Sequence, residues 1–122
     1  MPYDLHVVRT SNWLEAAKDP ITREEVNRLI ESDPELEWSA SDYVEMKQEE
    51  VTNRFYMITW NGRSCFWWYE DQIRCASPNE QQVAKLIGIA EKLKAKLVGD
   101  DGERYTFSRS LFGKRKIKIV RP

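Results

Sequence analysis

A chain of 122 residues, 41% hydrophobic and 32% charged with a formal net charge of −1, has the composition of one ordinary globular domain spanning 1–122. At that length it can bury roughly two thirds of its unfolded surface, so no disulfide framework is needed. No stretch reaches the roughly 18 consecutive apolar residues of a membrane span, and the opening Met1-Pro2-Tyr3-Asp4 carries no basic leader. A soluble, cytoplasmic protein is therefore expected, with Cys65 and Cys75 as reduced, partly buried thiols.

Tyr3 to Arg9 reads as a first strand, with Leu5 and Val7 on one face and His6 and Val8 on the other. Ser11 to Pro20 reads as a loop or a short helical turn. Thr22-Arg23-Glu24-Glu25 is a capping-box sequence, and Ile21 can pack on Val26 as a hydrophobic staple. The helix so started runs to about Ser32 with Val26, Leu29 and Ile30 inward, and Asp33-Pro34 ends it. A polar connection through Leu36 and Trp38 leads to a strand at Tyr43–Met46.

The segment from Phe55 to Tyr69 holds the strongest local signal. Two aromatic, β-prone stretches flank Asn61-Gly62, which supplies the two positive-φ residues of a type I′ hairpin turn. A two-residue turn pairs Trp60 with Arg63, Ile58 with Cys65 and Tyr56 with Trp67 on one face. Thr59/Ser64, Met57/Phe66 and Phe55/Trp68 then share the other. Both faces are apolar, so helices covering one face would leave large rings on the second. Glu70-Asp71 suggests another tight turn and Gln72–Cys75 a third strand of the meander.

Ser77-Pro78-Asn79-Glu80 reads as the start of a second helix, with serine as N-cap and proline in the first helical position. Val83, Leu86, Ile87, Ala90 and Leu93 form its buried stripe. Lys96–Val98 reads as a short strand, Gly99–Gly102 as a turn and Glu103–Phe107 as a strand pairing back. Ser108–Lys114 reads as irregular, and Ile117–Val120 as an edge strand whose lysines oppose aggregation. The expected architecture is α+β: an antiparallel or mixed sheet of about five strands, the aromatic meander in its middle and two helices on one face.

Catalytic and metal chemistry find no motif. His6 is the only histidine and has no paired nucleophile. Gly99-Asp100-Asp101-Gly102-Glu103 lacks the alternating ligands of a calcium loop and reads as a turn. No enzyme activity, metal or cofactor is expected.

Charge is distributed unevenly. From Glu31 to Glu50 there are eight acids against Lys47 alone, whereas Arg109, Lys114, Arg115, Lys116, Lys118 and Arg121 stand in the tail without an acid. Either the two segments lie together and screen one another, or the acidic one faces a basic partner. The tail, with Phe107 and Phe112, would suit a nucleic-acid module using Arg109, Lys114, Arg115 and Lys116, although the acidic middle would repel nucleic acid unless the two surfaces are well separated.

Met1-Pro-Tyr-Asp-Leu-His-Val-Val-Arg-Thr-Ser-Asn-Trp13, Pro20-Ile-Thr-Arg-Glu-Glu25, Ser32-Asp-Pro-Glu-Leu36 and Ile89-Ala-Glu-Lys-Leu-Lys-Ala-Lys-Leu-Val-Gly-Asp-Asp-Gly-Glu103 resemble a group of small bacterial proteins. Some of that group look like the cytoplasmic immunity proteins of toxin–immunity pairs. The likeness runs from Met1 to Tyr105, and the tail from Thr106 departs from it. It implies a non-enzymatic protein that neutralises a secreted toxin by covering its active site. The expected contact residues are Trp38, Asp42, Glu45, Glu49 and Glu50 for charge complementarity, with Trp60, Trp67 and Tyr69 as aromatic anchors. A symmetric dimer would bury the same kind of patch.

Overall fold

The computed structural model describes residues 3–48, 51–108 and 116–121, with 40–48 and 51–55 described by their backbone alone. In chain order these residues form β1 (Asp4–Val8), a 3-10 helix (Trp13–Lys18), α1 (Arg23–Ser32), β2 (Leu36–Gln48), β3 (Val51–Trp60) and β4 (Arg63–Tyr69). There follow β5 (Gln72–Ala76), α2 (Glu80–Lys92), β6 (Lys96–Gly99), β7 (Arg104–Ser108) and β8 (Lys116–Val120). No described helix is long and apolar enough to cross a membrane.

The fold is α+β, and the strands form one antiparallel sheet of eight in the order β2-β3-β4-β5-β1-β6-β7-β8, where about five were expected. The stretch through Leu36 and Trp38, read as a connection, lengthens β2 without adding a strand, with Leu36 opposite Trp60 and Trp38 opposite Ile58. The larger count arises because β1 bridges the two halves. It pairs with β5 through Leu5–Cys75 and Val7–Ile73, and with β6 through Leu5–Gly99 and Val7–Leu97, which carries the short β6, β7 and β8 into the same sheet. The aromatic meander β3–β5 therefore lies to one side of β1 rather than in the middle.

Both α-helices pack on one face. Thr22 accepts from the Glu25 amide while the Glu25 carboxylate accepts from the Thr22 amide, so the expected capping box starts α1. The second box lies two residues later than expected. Ser77 takes a left-handed φ of 42° and donates its amide to Tyr3 O, leaving Asn79 to cap α2 with Gln82 as its partner. Val26 and Leu29 from α1 and Val83, Leu86, Ile87 and Ala90 from α2 join Leu5, Val7, Ile58, Phe66, Ile73 and Leu97 in one core. Each Val, Leu, Ile or Phe side chain among them, fully buried, stabilises the fold by about 1.5–3 kcal/mol. The 3-10 helix covers part of the opposite face, where Ala16 and Trp13 close over Val8 and Val98.

Asn61 and Gly62 adopt φ of 50° and 84°, as the type I′ turn requires. The pairing beyond the turn departs from the expected register. Trp60–Arg63 and Thr59–Ser64 hold, but Ile58 then meets Phe66, Met57 meets Trp67 and Tyr56 meets Trp68. Cys65 is the extra residue of a bulge, which puts Cys65 and Phe66 both on the helix side and reverses the faces of every ring beyond them.

Candidate functional site

The bulge decides which aromatic groups are enclosed. Phe66 and Trp68 point into the helix-covered core, and the Trp68 indole donates to Ile21 O at 2.8 Å. Trp67 and Tyr69 point the other way, with Met57 beside Trp67 on β3 and Arg74 opposite it on β5. These four side chains are half-buried on the face opposite α1 and α2. Among the described residues the one helix on that face is the 3-10 helix, which packs on β1 and β6 and meets β5 where Arg74 lies over Trp13. The Trp67 Nε1 is enclosed by its surroundings without an acceptor.

A polar cluster borders this patch. His6, 1% exposed, stacks on the Trp13 indole with centroids 4.2 Å apart and planes 8° from parallel. Its Nδ1 lies 2.7 Å from Gln72 Oε1 and its Nε2 2.7 Å from Asp100 Oδ1. Burial opposes ionisation of Asp100, but the Asp4 amide and His6 outweigh it and hold the carboxyl below the usual range. Arg74 donates to Gln72 Oε1 at 3.2 Å and lies 5.4 Å from the Trp13 ring centre, so its guanidinium spans the space between Trp13 and the strand bearing Trp67. His6 is thus a fully partnered structural residue. The motif reading that paired Gly99–Glu103 with a turn also holds: Gly102 has φ of 86° and its amide donates to Gly99 O at 3.0 Å.

The expected contact residues do not form one surface. Trp38 and Trp60 lie on the helix side, packed against the main core. The Trp38 indole donates to Asn27 Oδ1 at 2.9 Å with Arg23 5.8 Å from its ring, and Trp60 stacks on Phe66 with its Nε1 3.4 Å from Glu35 Oε1. Trp67 and Tyr69 occupy the opposite face. Asp42 and Glu45 fall on β2, whose side chains in that stretch are not described, and Glu49 and Glu50 lie outside the described residues. Arg109, Lys114 and Arg115 also lie outside them, while Lys116 is exposed on β8. Met57 was missed as a member of the patch because the register without a bulge pairs it with Phe66, and Arg74 because it lies outside the aromatic run.

The acidic and basic segments do not screen each other through strand pairing. Strands β2 and β8 are the two opposite edges of the sheet, with six strands between them. Part of the acidic segment is neutralised by α2 instead: Lys85 bonds Asp33 at 2.8 Å and Glu35 at 2.6 Å, and Lys92 lies 3.6 Å from Asp33. Burial opposes ionisation of Asp33, yet Lys85 and the Glu35 amide hold its carboxyl below the ordinary range.

Cys65 and Cys75 are free thiols on the helix side. Burial pushes both above the usual thiol range, Cys75 to about 12. Among the described residues no three His, Cys, Asp or Glu side chains are grouped to hold a metal ion. No protein-family model, curated protein or solved structure matches the chain.

Proposed function

We propose that this protein acts by binding another protein through the face of the β3–β5 meander that carries Met57, Trp67, Tyr69 and Arg74, and that the partner is a secreted bacterial toxin domain which it neutralises. The observation behind this reading is that patch itself: a Trp, a Tyr and an Arg, the three residue types most enriched at binding hot spots, are half-buried on a sheet face that the α-helices leave uncovered and that the 3-10 helix borders at Arg74. Strand β2 borders β3, so the strand bearing Asp42 and Glu45 runs along the outer flank of the patch and would favour a basic partner. The toxin class comes from the resemblance of the segments between Met1 and Glu103 to immunity proteins.

The test begins with the gene directly upstream, where a large secreted protein with a toxic C-terminal domain is expected and whose absence counts against the proposal, and continues with co-expression of that domain. The wild-type chain is expected to restore growth and to co-purify with that domain. A Trp67→Ala/Tyr69→Ala variant with an unchanged circular dichroism spectrum is expected to lose both. Full protection by that variant, or failure of the wild type to bind, removes the proposal.

A second reading is favoured by the separation of the two charged edges. Arg104, Lys116 and Lys118 share the same face of β7–β8, six strands from the acidic edge, while Arg121 lies 3.9 Å from Glu103. A single-stranded nucleic acid bound there would show affinity falling steeply and log-linearly with salt. Salt-independent or undetectable binding discards it.

A further inference from the structure

The C-terminal ends of α1 and α2 and the end of β1 enclose an open cavity of about 500 Å³ that is unrelated to the meander patch. We propose that this cavity binds a small polyanion, a molecule carrying two or more phosphate or carboxylate groups on a compact body.

Its wall is rigid. Arg9 donates to Leu93 O at 3.0 and 3.2 Å, to Pro20 O at 3.0 Å and to both oxygens of Glu25, so its donors are all engaged by the protein itself. That pair also disposes of the one acid among the described lining residues, since Arg9 and Glu25 neutralise each other. The floor is apolar, formed by the buried Leu29 and Leu93.

Three further cations line the opening: Arg28 from α1, and Lys92 and Lys94 at the end of α2. All three are exposed. Among the described residues Arg28 and Lys94 have no ion-pair partner, and Lys92 has only a 3.6 Å approach to Asp33, which Lys85 already holds at 2.8 Å. Three cations with one weak internal partner therefore converge on a concavity whose size lies within the range of small-molecule sites. Helix-dipole compensation accounts for cations in the last turn of a helix. It does not account for Arg28 on a second helix facing the same space. Among the described residues no aromatic ring lines the cavity, so the recognised chemistry is anionic charge on a compact apolar or polar body rather than a stacked base.

The test titrates the full chain with pyrophosphate, citrate and chloride at matched ionic strength, followed by amide chemical shifts and calorimetry. Saturable binding of pyrophosphate or citrate at one site is expected, with shifts centred on Arg28, Leu29, Leu93 and Lys94. Preference for pyrophosphate assigns a phosphate ligand, and preference for citrate a carboxylate one. Arg28→Gln combined with Lys94→Asn, asparagine being suited to the φ of 55° at that position, should weaken binding by about tenfold or more. Lys118→Ala on the far edge should leave it unchanged. No saturable binding by either anion, or equal losses in the pocket and edge variants, overturns the proposal.

Discussion

The His6 imidazole lies flat against the Trp13 indole, and this pair fastens the 3-10 helix to the sheet. The Trp13 Nε1 also donates to Asp100 O at 3.1 Å. Trp13→Phe keeps a ring over His6 and loses the hydrogen bond, so it should cost about 1 kcal/mol. Trp13→Ala removes the ring that shields His6, Val8 and Val98 and should cost about 3 kcal/mol. Urea denaturation of the two variants distinguishes them, and equal stabilities would mean the stack contributes nothing.

Gly99 and Glu103 give a sharper expectation. A Cβ at Gly99 would fall on the Glu103 carboxylate, which is buried and accepts from the Tyr3 hydroxyl at 2.6 Å. Burial, with Glu103 beside it, raises the Tyr3 hydroxyl to about 12. Gly99→Ala should therefore destabilise by about 2 kcal/mol or more. Shortening the partner in Gly99→Ala/Glu103→Ala should cost less than the sum of the two single changes, a coupling that thermal denaturation of all four proteins measures.

Arg9 and Glu25 predict a pH dependence. The hydrogen bond from Arg9 lowers the Glu25 carboxyl from 4.5 to about 2. A depressed carboxyl binds fewer protons in the folded than in the unfolded state. Its contribution is therefore present above about pH 4.5 and is lost as pH falls toward 2. Discounted for solvent screening, it should be about 1 kcal/mol. Glu25→Gln should be less stable than wild type at neutral pH, and the gap should close between pH 4.5 and 2. A constant gap would assign the loss to packing or to the capping box.

Two adjacent indoles should respond in opposite ways to the same change. Trp67 encloses an Nε1 with no acceptor, so Trp67→Phe removes an unsatisfied donor and should leave stability within about 1 kcal/mol of wild type. Trp68→Phe discards the 2.8 Å bond to Ile21 O and should cost about 1–2 kcal/mol more. If Trp67→Phe is the more damaging, its indole has an acceptor after all.

Much of the local structure was legible because it depends on neighbours in the chain. Thr22 and Glu25 announce α1, Asn61 and Gly62 announce the turn, and every strand-like segment found a strand partner. What the chain did not announce depends on distant contacts. The bulge at Cys65 shifts the register by one residue, and nothing in Arg63–Tyr69 marks it, although it settles which of Trp67 and Trp68 faces the core. Ser77 and Asn79 are both good caps, and the bond of the Ser77 amide to Tyr3 O selects the second. The patch was half legible: Trp67 and Tyr69 were named, while Arg74 joined them only through the β4–β5 ladder. Trp38 and Trp60, equally prominent as residues, turned out to face the helices.

The position of β1 constrains how the molecule assembles. Its ladder partners are β5 and β6, which follow it only after α1 and β2–β4 and, for β6, α2. On a ribosome the meander can pair with itself early, while β1, made before its partners, waits with its apolar Leu5 and Val7 unsatisfied until residues 72–99 have emerged. Such sequence-distant closure slows folding and prolongs exposure to misassembly. The same late closure joins both halves of the sheet, so loss of β1 would separate them rather than merely trim an edge.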